Sequence, residues 1–168
     1  MLRKYEYRRR LPHYQPDFKI FFITFCTYRR WELPARARQI VLDVCLRGDG
    51  KRFELLALVV MPDHVHVALN PLADMDGQVS LPKILQAIKS TSSHRINKEL
   101  GHRGTVWQQE SFDCALRREE HLASKIEYML LNPVRAGLVR DPMAYPWMWR
   151  RTQGWGEIAW RGPAAADG

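Results

Sequence analysis

The sequence predicts an α+β fold, a ferredoxin-like βαββαβ sandwich with a four-stranded antiparallel sheet and an added helix near the C-terminus. Short segments rich in β-branched and aromatic residues alternate with longer segments whose apolar residues recur at helical spacing. Their order is strand, helix, strand, strand, helix, strand, helix. The 168 residues, of which 46% are hydrophobic, are enough for one packed domain and too few for two.

The first half of the chain supplies three strands and one helix. Residues 19–28, KIFFITFCTY, are rich in aromatic and β-branched side chains, and their length suits a strand better than a core helix. Pro34 begins a helical pattern that ends near Gly48 to Gly50. Residues 55–70, LLALVVMPDHVHVALN, predict two strands joined by a tight break at Pro62.

The second half begins with a long helix and a fourth strand. A helix is predicted from an N-cap at Ser80 to Leu100, because Pro82 suits its first turn and Gly101 suits its end. Residues 111–116 can form the fourth strand of the sheet.

A last helix is predicted over residues 119–132. Glu119 and Glu120 suit its first turn because carboxylates complement the helix dipole there, and Pro133 prevents its normal continuation. After Gly137 the chain is rich in proline and tryptophan, and we expect the tryptophans to cover the core.

Charge and chain organisation favour a polyanionic partner. We divide the chain into a basic N-terminal arm (1–16), a single domain (17–150) and a C-terminal tail (151–168). There are 26 Lys and Arg against 18 Asp and Glu, which gives a net charge of +8 and a pI near 9.7. Nucleic acid is one such partner. The arm interleaves arginines with tyrosines, which suits either contact with single-stranded nucleic acid or a solvated segment.

Cysteine usage and hydropathy indicate the compartment. Cys26, Cys45 and Cys114 are widely separated and odd in number, so neither a disulfide framework nor a cysteine zinc site is indicated. No apolar run approaches the roughly 20 residues needed to span a bilayer, and no signal-peptide segment follows the basic N-terminus. We therefore expect a soluble, cytoplasmic protein with no membrane partner.

Two histidines lie close together in one predicted strand. His64 and His66 are two residues apart, so their side chains share a face of the sheet. Val65, Val67 and Leu69 alternate with them and would face the core. Neighbouring imidazoles can chelate a divalent metal, although a His-x-His pair also occurs on half-exposed strand faces without a ligand. A partner elsewhere in the sequence must decide between these readings.

The last predicted helix carries such a candidate. At about 100° per residue, Leu122, Ile126, Met129 and Leu130 form an apolar stripe. The opposing polar stripe consists of His121, Lys125, Tyr128 and Asn132. This geometry fits a functional site, but taken alone it favours a solvated outer face.

Two motifs in this order carry a family resemblance. The segment MPDHVH at residues 61–66 and the block YMLLNPVRAGLV at residues 128–139 resemble the REP-associated tyrosine transposases. These are relatives of the single-tyrosine HUH transposases that mobilise small bacterial insertion sequences. Further matches are FITF at 22–25, VWQ at 106–108, LR at 116–117 and YPW at 145–147. The resemblance spans about residues 18–150.

The resemblance implies a transposase-like enzyme that cleaves and rejoins single-stranded DNA near palindromic hairpins through a 5′-phosphotyrosine. Tyr128, on the C-terminal helix, would be the nucleophile. His64 and His66 would hold a divalent metal, Mg²⁺ or Mn²⁺. Asn132 would be the third ligand, at a position where relatives often carry Gln. Leu130 stands where many relatives carry His, so no role is transferred to that position.

The resemblance also implies the partner. The substrate would be single-stranded DNA with hairpins, similar to repetitive extragenic palindromes, bound by a monomer or homodimer associated with the bacterial nucleoid. Contacts to the DNA backbone are expected from basic residues in several parts of the chain. These residues are Arg8, Arg9, Arg10, Lys89, Arg117, Arg118, Lys125 and Arg135.

Two other functions remain open on the sequence. The chain could be a non-catalytic nucleic-acid-binding module on the same fold, although it lacks an RNP-type aromatic strand. It could also be a metal-dependent phosphodiesterase. A two-histidine phosphoesterase needs a second His-x-Thr/Ser element, and the sequence has none around His94 or His121. A covalent protein–DNA adduct would separate transesterification from both alternatives.

Overall fold

The computed structural model describes residues 20–74, 77–116 and 122–152. Its strands are β1 (Ile20–Thr27), β2 (Phe53–Val60), β3 (His64–Pro71), β4 (Ala73–Asp74), β5 (Gly77–Gln78), β6 (Trp107–Leu116) and β7 (Met148–Arg150). Its helices are α1 (Ala35–Gly48), α2 (Leu81–Leu100), α3 (Leu122–Leu130) and α4 (Asn132–Arg135), with 3₁₀ turns at Tyr28–Arg30 and Pro142–Ala144. The predicted arm and nearly all of the predicted tail lie outside the described residues.

One antiparallel sheet organises the molecule, and its strand order is β6-β1-β3-β2-β7. The predicted α+β sandwich is confirmed, because β6, β1, β3 and β2, the first four strands in this order, are the four predicted strands. The predicted number of strands is wrong by one. β7 adds a fifth strand, and its Trp149 pairs with Leu58 of β2. At three residues, β7 is too short to show a strand pattern in the sequence.

The register of β3 determines where its histidines point. Thr24 of β1 pairs with His66 on one side, and Val59 of β2 pairs with it on the other. Cys26 pairs with His64. Directly paired side chains project from the same face of a sheet. Thr24, His66 and Val59 therefore form one row across the three central strands.

The break between β2 and β3 is anchored by backbone hydrogen bonds. The N–H of Leu33 donates to the carbonyl of Pro62 at 2.7 Å, and the N–H of Thr27 donates to the carbonyl of Asp63 at 2.9 Å. These bonds tie the start of β3 to the segment after β1. The position of His64 is therefore fixed relative to β1.

α1 and α2 cover one face of the sheet. Their apolar residues, including Ile40 and Ile84, pack with Phe25, Leu58 and Val67 from the strands in one buried core. Each of these strand residues is next to a member of the histidine row in sequence and therefore projects from the opposite face. The helix pair thus lies on the side of the sheet away from the histidines.

α3 covers part of the opposite face, and its observed end corrects a prediction. The predicted helix continued to Asn132, whereas α3 ends at Leu130 and a separate turn, α4, begins at Asn132. The reason is Pro133, whose missing N–H interrupts the helical bonds. The predicted start at residues 119–121 lies outside the described residues.

The fourth strand also begins earlier than predicted. β6 starts at Trp107, which pairs with Thr27 beyond an irregularity in the register with β1. Within the described ranges, no helix is both long enough and apolar enough to cross a bilayer.

Candidate active site

His64 and His66 project together from β3. Their ring centroids are 4.8 Å apart, and their ring planes are nearly perpendicular, at 88°. Val65 and Val67 between and beyond them are completely buried on the other side of the strand. The core therefore fixes the strand that presents the two imidazoles.

Each imidazole is oriented by a contact at Nδ1. The Nδ1 of His64 lies 2.6 Å from Oδ1 of Asp63, and the Nδ1 of His66 lies 2.9 Å from Oγ1 of Thr24. Both contacts leave Nε2 for another partner. Bonds of this kind fix the tautomer and ring orientation of metal-binding histidines.

Asp63 is in turn positioned by Arg30, whose Nη1 lies 3.4 Å from Oδ2 of Asp63. Burial alone would raise the pKa of Asp63, but the hydrogen bond with His64 and the positive charge of Arg30 hold that pKa below its usual value. An ionised Asp63 accepts the Nδ1 proton of His64. In the neutral tautomer that this bond favours, the lone pair of His64 is on Nε2.

The Nε2 of His66 is buried and has no hydrogen-bond partner in the described part of the chain. Burial, followed by the neighbouring His64 and Arg135, lowers the pKa of His66 to about 4. The ring is therefore neutral near pH 7. A buried polar atom left unpaired costs roughly 1–3 kcal/mol, so it calls for an explanation such as a functional role. This Nε2 is the atom to which an external ligand would bind.

α3 lies on the same face of the sheet as the histidines. Its Ile126 and Met129 are buried in one cluster with Val59 and Ala68. Ala68 is two residues after His66 on β3, so it projects from the same face as the histidines. Tyr128 lies outside this buried stripe and is 66% exposed. The fold therefore brings an accessible phenol to the face that carries the imidazole pair.

The residues after Tyr128 build the end of its helix. Pro133 has no N–H for the carbonyl of Met129 four residues earlier, and Nδ2 of Asn132 donates to that oxygen at 2.8 Å. Nη1 of Arg135 donates to the carbonyl of Tyr128 at 3.0 Å. The Asn-Pro-Val-Arg sequence thus satisfies carbonyls at the break and fixes the backbone next to the tyrosine.

α4 ends immediately in a left-handed turn. Gly137 has φ +73°, a conformation that glycine adopts without strain. Its N–H donates to the carbonyl of Val134 at 3.0 Å, and the N–H of Leu138 donates to the carbonyl of Pro133 at 2.9 Å. This is the Schellman pattern. Much of the block at residues 128–139 is therefore explained by local backbone geometry.

Arg135 contacts the phenol ring and acts electrostatically on His66. Its guanidinium carbon is 3.8 Å from the centroid of the Tyr128 ring, and its positive charge contributes to the lowered pKa of His66. A hydroxyl group, a permanent cation and a neutral imidazole thus belong to one neighbourhood. Such an arrangement suits nucleophilic chemistry on an anionic group.

The predicted third metal ligand is partly engaged in local structure. Nδ2 of Asn132 donates to Met129, and its Oδ1 is the atom chemically suited to a metal. In the described ranges, no group of three or more His, Cys, Asp and Glu side chains could hold a metal. A metal on His64 and His66 would therefore need further oxygen ligands from Asn132, water or substrate.

Lys89, predicted to contact DNA, anchors the edge strand instead of projecting freely. Its ammonium donates to Oγ of Ser111 at 2.7 Å and to the carbonyls of Gln108, Gln109 and Glu110 at 3.0–3.3 Å. Burial lowers the pKa of Lys89. α2 presents this residue on the side away from the histidines.

Lys125, another predicted DNA contact, lies on the histidine face. Its Nζ is 3.8 Å from Sγ of Cys114 and 5.5 Å from the ring centroid of Phe22. The remaining predicted contacts lie outside the described residues. These are Arg8, Arg9, Arg10, Arg117 and Arg118.

The sequence analysis assigned no role to Thr24 or Asp63, which orient the two imidazoles. For Asp63, the available signal was a carboxylate directly before His64 at a strand break. For Thr24, the signal was weaker, because its contact with His66 depends on the register of β1 with β3.

Comparisons with known proteins show which family the chain belongs to. The family model described as "Transposase IS200 like" matches residues 15–128. A REP-associated tyrosine transposase of Escherichia coli K12 is 26% identical over 142 residues, covering 84% of this chain and 79% of that protein. A Haemophilus influenzae protein, named as a candidate member of that group, is 24% identical over 101 residues. That match covers 56% of this chain and 57% of the relative, so the chain spans little more than half of that relative.

A solved structure extends the similarity to the fold. The structure of a REP-associated tyrosine transposase bound to a REP hairpin is 25% identical, with a TM-score of 0.65, and the match covers 94% of this chain and 92% of that one. Sequence and fold agree on one class of protein, the DNA-processing enzymes called transposases. The chain belongs to the IS200-like transposase family. Within it, the similarities reported above are to REP-associated tyrosine transposases.

Proposed function

We propose that this chain cleaves and rejoins single-stranded DNA beside a hairpin through a 5′-phosphotyrosine at Tyr128. The unpaired, buried Nε2 of His66 carries the proposal, because it lies on the face to which α3 brings the exposed phenol. The similar solved transposase is bound to a REP hairpin, which supports hairpin DNA as the ligand class here.

Tyr128 supplies the nucleophile in this proposal. Its hydroxyl oxygen attacks the phosphorus of a phosphodiester, a Tyr128 O–P bond forms, and the bond from phosphorus to the 3′ oxygen breaks. The phenol proton passes to water, and the 3′ oxygen leaves as a hydroxyl after taking a proton from water. Attack by another 3′-hydroxyl reverses these steps and releases Tyr128. Rejoining therefore needs no nucleotide cofactor.

His64 and His66 fit a divalent metal. Their Nδ1 atoms are already engaged, and the Nε2 of His66 lacks a partner among the described residues. The two Nε2 atoms and Oδ1 of Asn132 would form a mixed set of nitrogen and oxygen ligands for Mg²⁺ or Mn²⁺. Mn²⁺ tolerates nitrogen ligands better. When bound, the cation would withdraw negative charge from the phosphate.

Two cations would assist on the same face. Arg135 holds the backbone and ring of Tyr128, and its other N–H groups can donate to a phosphate. Lys125 lies one helical turn before Tyr128 and would contribute a point charge toward the DNA backbone. Contacts from Arg8, Arg9, Arg10, Arg117 and Arg118 stay predictions.

End-labelled DNA tests the proposal. The protein is incubated with Mn²⁺ and a hairpin oligonucleotide that has single-stranded flanks, and the products are separated on a denaturing gel. The 3′-terminal label should migrate with the protein, because the phosphotyrosine retains the 5′ phosphate of the downstream fragment. The 5′-terminal label should appear in a shorter, free fragment with a 3′-hydroxyl.

The matched variants are Tyr128→Phe and Tyr28→Phe. Tyr128→Phe removes only the attacking oxygen and should abolish both products, whereas Tyr28→Phe removes another exposed hydroxyl and should retain them. Cleavage that persists in Tyr128→Phe would instead indicate a metal-dependent phosphodiesterase. Binding without any cleavage in the unmodified chain would indicate a non-catalytic DNA-binding module.

A further inference from the structure

Phe112 is an exposed aromatic side chain on the face of the sheet that carries the histidines. It pairs with Thr24 across β6 and β1, and Thr24 pairs with His66 across β1 and β3. With neighbouring strands 4.7–4.9 Å apart, Phe112 lies roughly 10 Å from His66 along one row. Phe112 is 68% exposed, more than any other aromatic residue in the described ranges.

Packing does not account for this side chain. Neither buried cluster includes Phe112. Of the other β6 residues on this face, Leu116 is buried and Cys114 is exposed. Leu116 is buried with α3, and Cys114 contacts Lys125. α3 therefore covers the Leu116 end of β6 and leaves Cys114 and Phe112 exposed.

We infer that Phe112 is a stacking platform for one base of single-stranded DNA that flanks the phosphate held at the histidines. The inference rests on the function proposed above. Single-stranded DNA presents the faces of its bases, and an aromatic ring can stack on any of them. Lys125 and Arg135 on the same face provide positive charge for the backbone of that strand.

The surroundings of Phe112 favour a nucleotide over a protein partner. The next two side chains in its row, Thr24 and His66, are polar. A protein interface centres on a larger, continuous apolar patch. A nucleic acid strand alternates bases with phosphates. The ring of Phe112 would contact a base, and the polar and cationic side chains beside it would contact a phosphate.

Binding is measured by fluorescence anisotropy in protein that carries Tyr128→Phe, so the result does not depend on the covalent step. Two oligonucleotides are compared: a hairpin with a single-stranded flank, and the same hairpin without it. Phe112→Ala should weaken binding of the flanked hairpin about 5- to 150-fold, the usual effect of losing one stacked base. Binding of the bare hairpin should be unchanged.

Three further variants separate stacking from other effects. Phe112→Trp keeps an aromatic face and should bind the flanked hairpin as well as the parent does. Phe112→Leu keeps apolar area without that face and should resemble Phe112→Ala. Leu100→Ala truncates another exposed apolar side chain, at the end of α2 on the opposite side of the sheet, and should have no effect.

The salt dependence of binding distinguishes stacking from charge. Phe112→Ala removes no phosphate contact, so the slope of log affinity against log salt should match the parent. Arg135→Met should reduce that slope by about 0.7, the value for one phosphate contact on a single strand.

Two outcomes would overturn the inference. One is equal affinity of Phe112→Ala and the parent for the flanked hairpin. The other is an equal loss of affinity for the flanked and bare hairpins. Either outcome leaves the covalent proposal standing if the adduct at Tyr128 forms. Failure to form the adduct would overturn the covalent proposal, but the binding comparison between the two hairpins could still be interpreted.

Discussion

The two faces of the central sheet are covered to different extents. On one face, α1 and α2 bury a continuous apolar core that includes Phe25, Leu58 and Val67. On the other, α3 and the segment around Tyr145 cover only part of the sheet. Phe112 remains exposed on this second, open face.

One buried polar group on each side of the sheet can be compared. Ser92 in α2 is completely buried, and its hydroxyl donates to the carbonyl of Ile88 at 2.7 Å and accepts from Nε1 of Trp107 at 2.9 Å. On the open face, Nε2 of His66 is equally removed from water and has no partner in the described ranges. The comparison teaches that the hydroxyl of Ser92 links α2 to β6 within the core, whereas Nε2 of His66 makes no such structural contact.

Truncation of the covered core should have the largest effect on stability. Leu58→Ala removes a completely buried side chain and should lower the free energy of unfolding by about 2–5 kcal/mol. Urea denaturation measures this loss. Leu138→Ala, at a half-exposed position, is the control and should change it by less than about 0.5 kcal/mol. Equal losses in both variants would remove the distinction between a packed and an exposed region.

A bound metal should stabilise the chain through the open face. Mn²⁺ at 100 times its Kd should raise the free energy of unfolding by about 2.7 kcal/mol, because it binds the folded state. His66→Ala should abolish this increase in thermal denaturation experiments with and without Mn²⁺. His94→Ala, a variant of a histidine on α2, should retain it. An increase that survives in His66→Ala would place the metal elsewhere.

The anchor at Lys89 should contribute a smaller amount. Lys89→Met keeps a long side chain but removes the charged donor to Ser111 and to the carbonyls of β6. We expect a loss of about 1–3 kcal/mol in the free energy of unfolding, together with faster hydrogen exchange in β6. Lys83→Met on the same helix is the control. DNA affinity that falls in Lys89→Met with no change in stability would instead support the predicted role as a DNA contact.

Removal of the phenol oxygen should have the smallest effect on stability. Tyr128 is largely exposed, so Tyr128→Phe should change the free energy of unfolding by less than about 0.5 kcal/mol. The same variant should lose all covalent adduct. A large loss of stability would mean that this hydroxyl belongs to the structure of the fold.

Most of the fold could be predicted because it follows from local patterns. Composition and length predict β1, apolar periodicity predicts α1, and Ser80 and Gly101 predict the ends of α2, each within a few residues of the observed bounds. β7 could not be predicted, because three residues show no periodicity and its pairing with β2 depends on the folded chain. The end of α3 was missed because the helical stripe continues to Asn132 in the sequence.

The candidate site could be predicted only in part. Alternation along β3 placed His64 and His66 on one face, and helical spacing separated Tyr128 from the buried stripe of α3. The contact between Thr24 and His66 joins residues 42 positions apart, so it depends on strand register. The anchoring of Lys89 on β6 depends likewise on how α2 packs, which composition and charge do not reveal.

The convergence of Tyr128 and the histidine pair on one phosphate is tested most directly by ¹⁹F NMR. The six tyrosines are labelled with fluorotyrosine, and Tyr128 is assigned by its absence from Tyr128→Phe. With hairpin DNA bound, paramagnetic Mn²⁺ should broaden the Tyr128 signal, diamagnetic Mg²⁺ should not, and His66→Ala should restore a sharp line. A Tyr128 signal that stays sharp while Mn²⁺ binds at His66 would contradict a shared site.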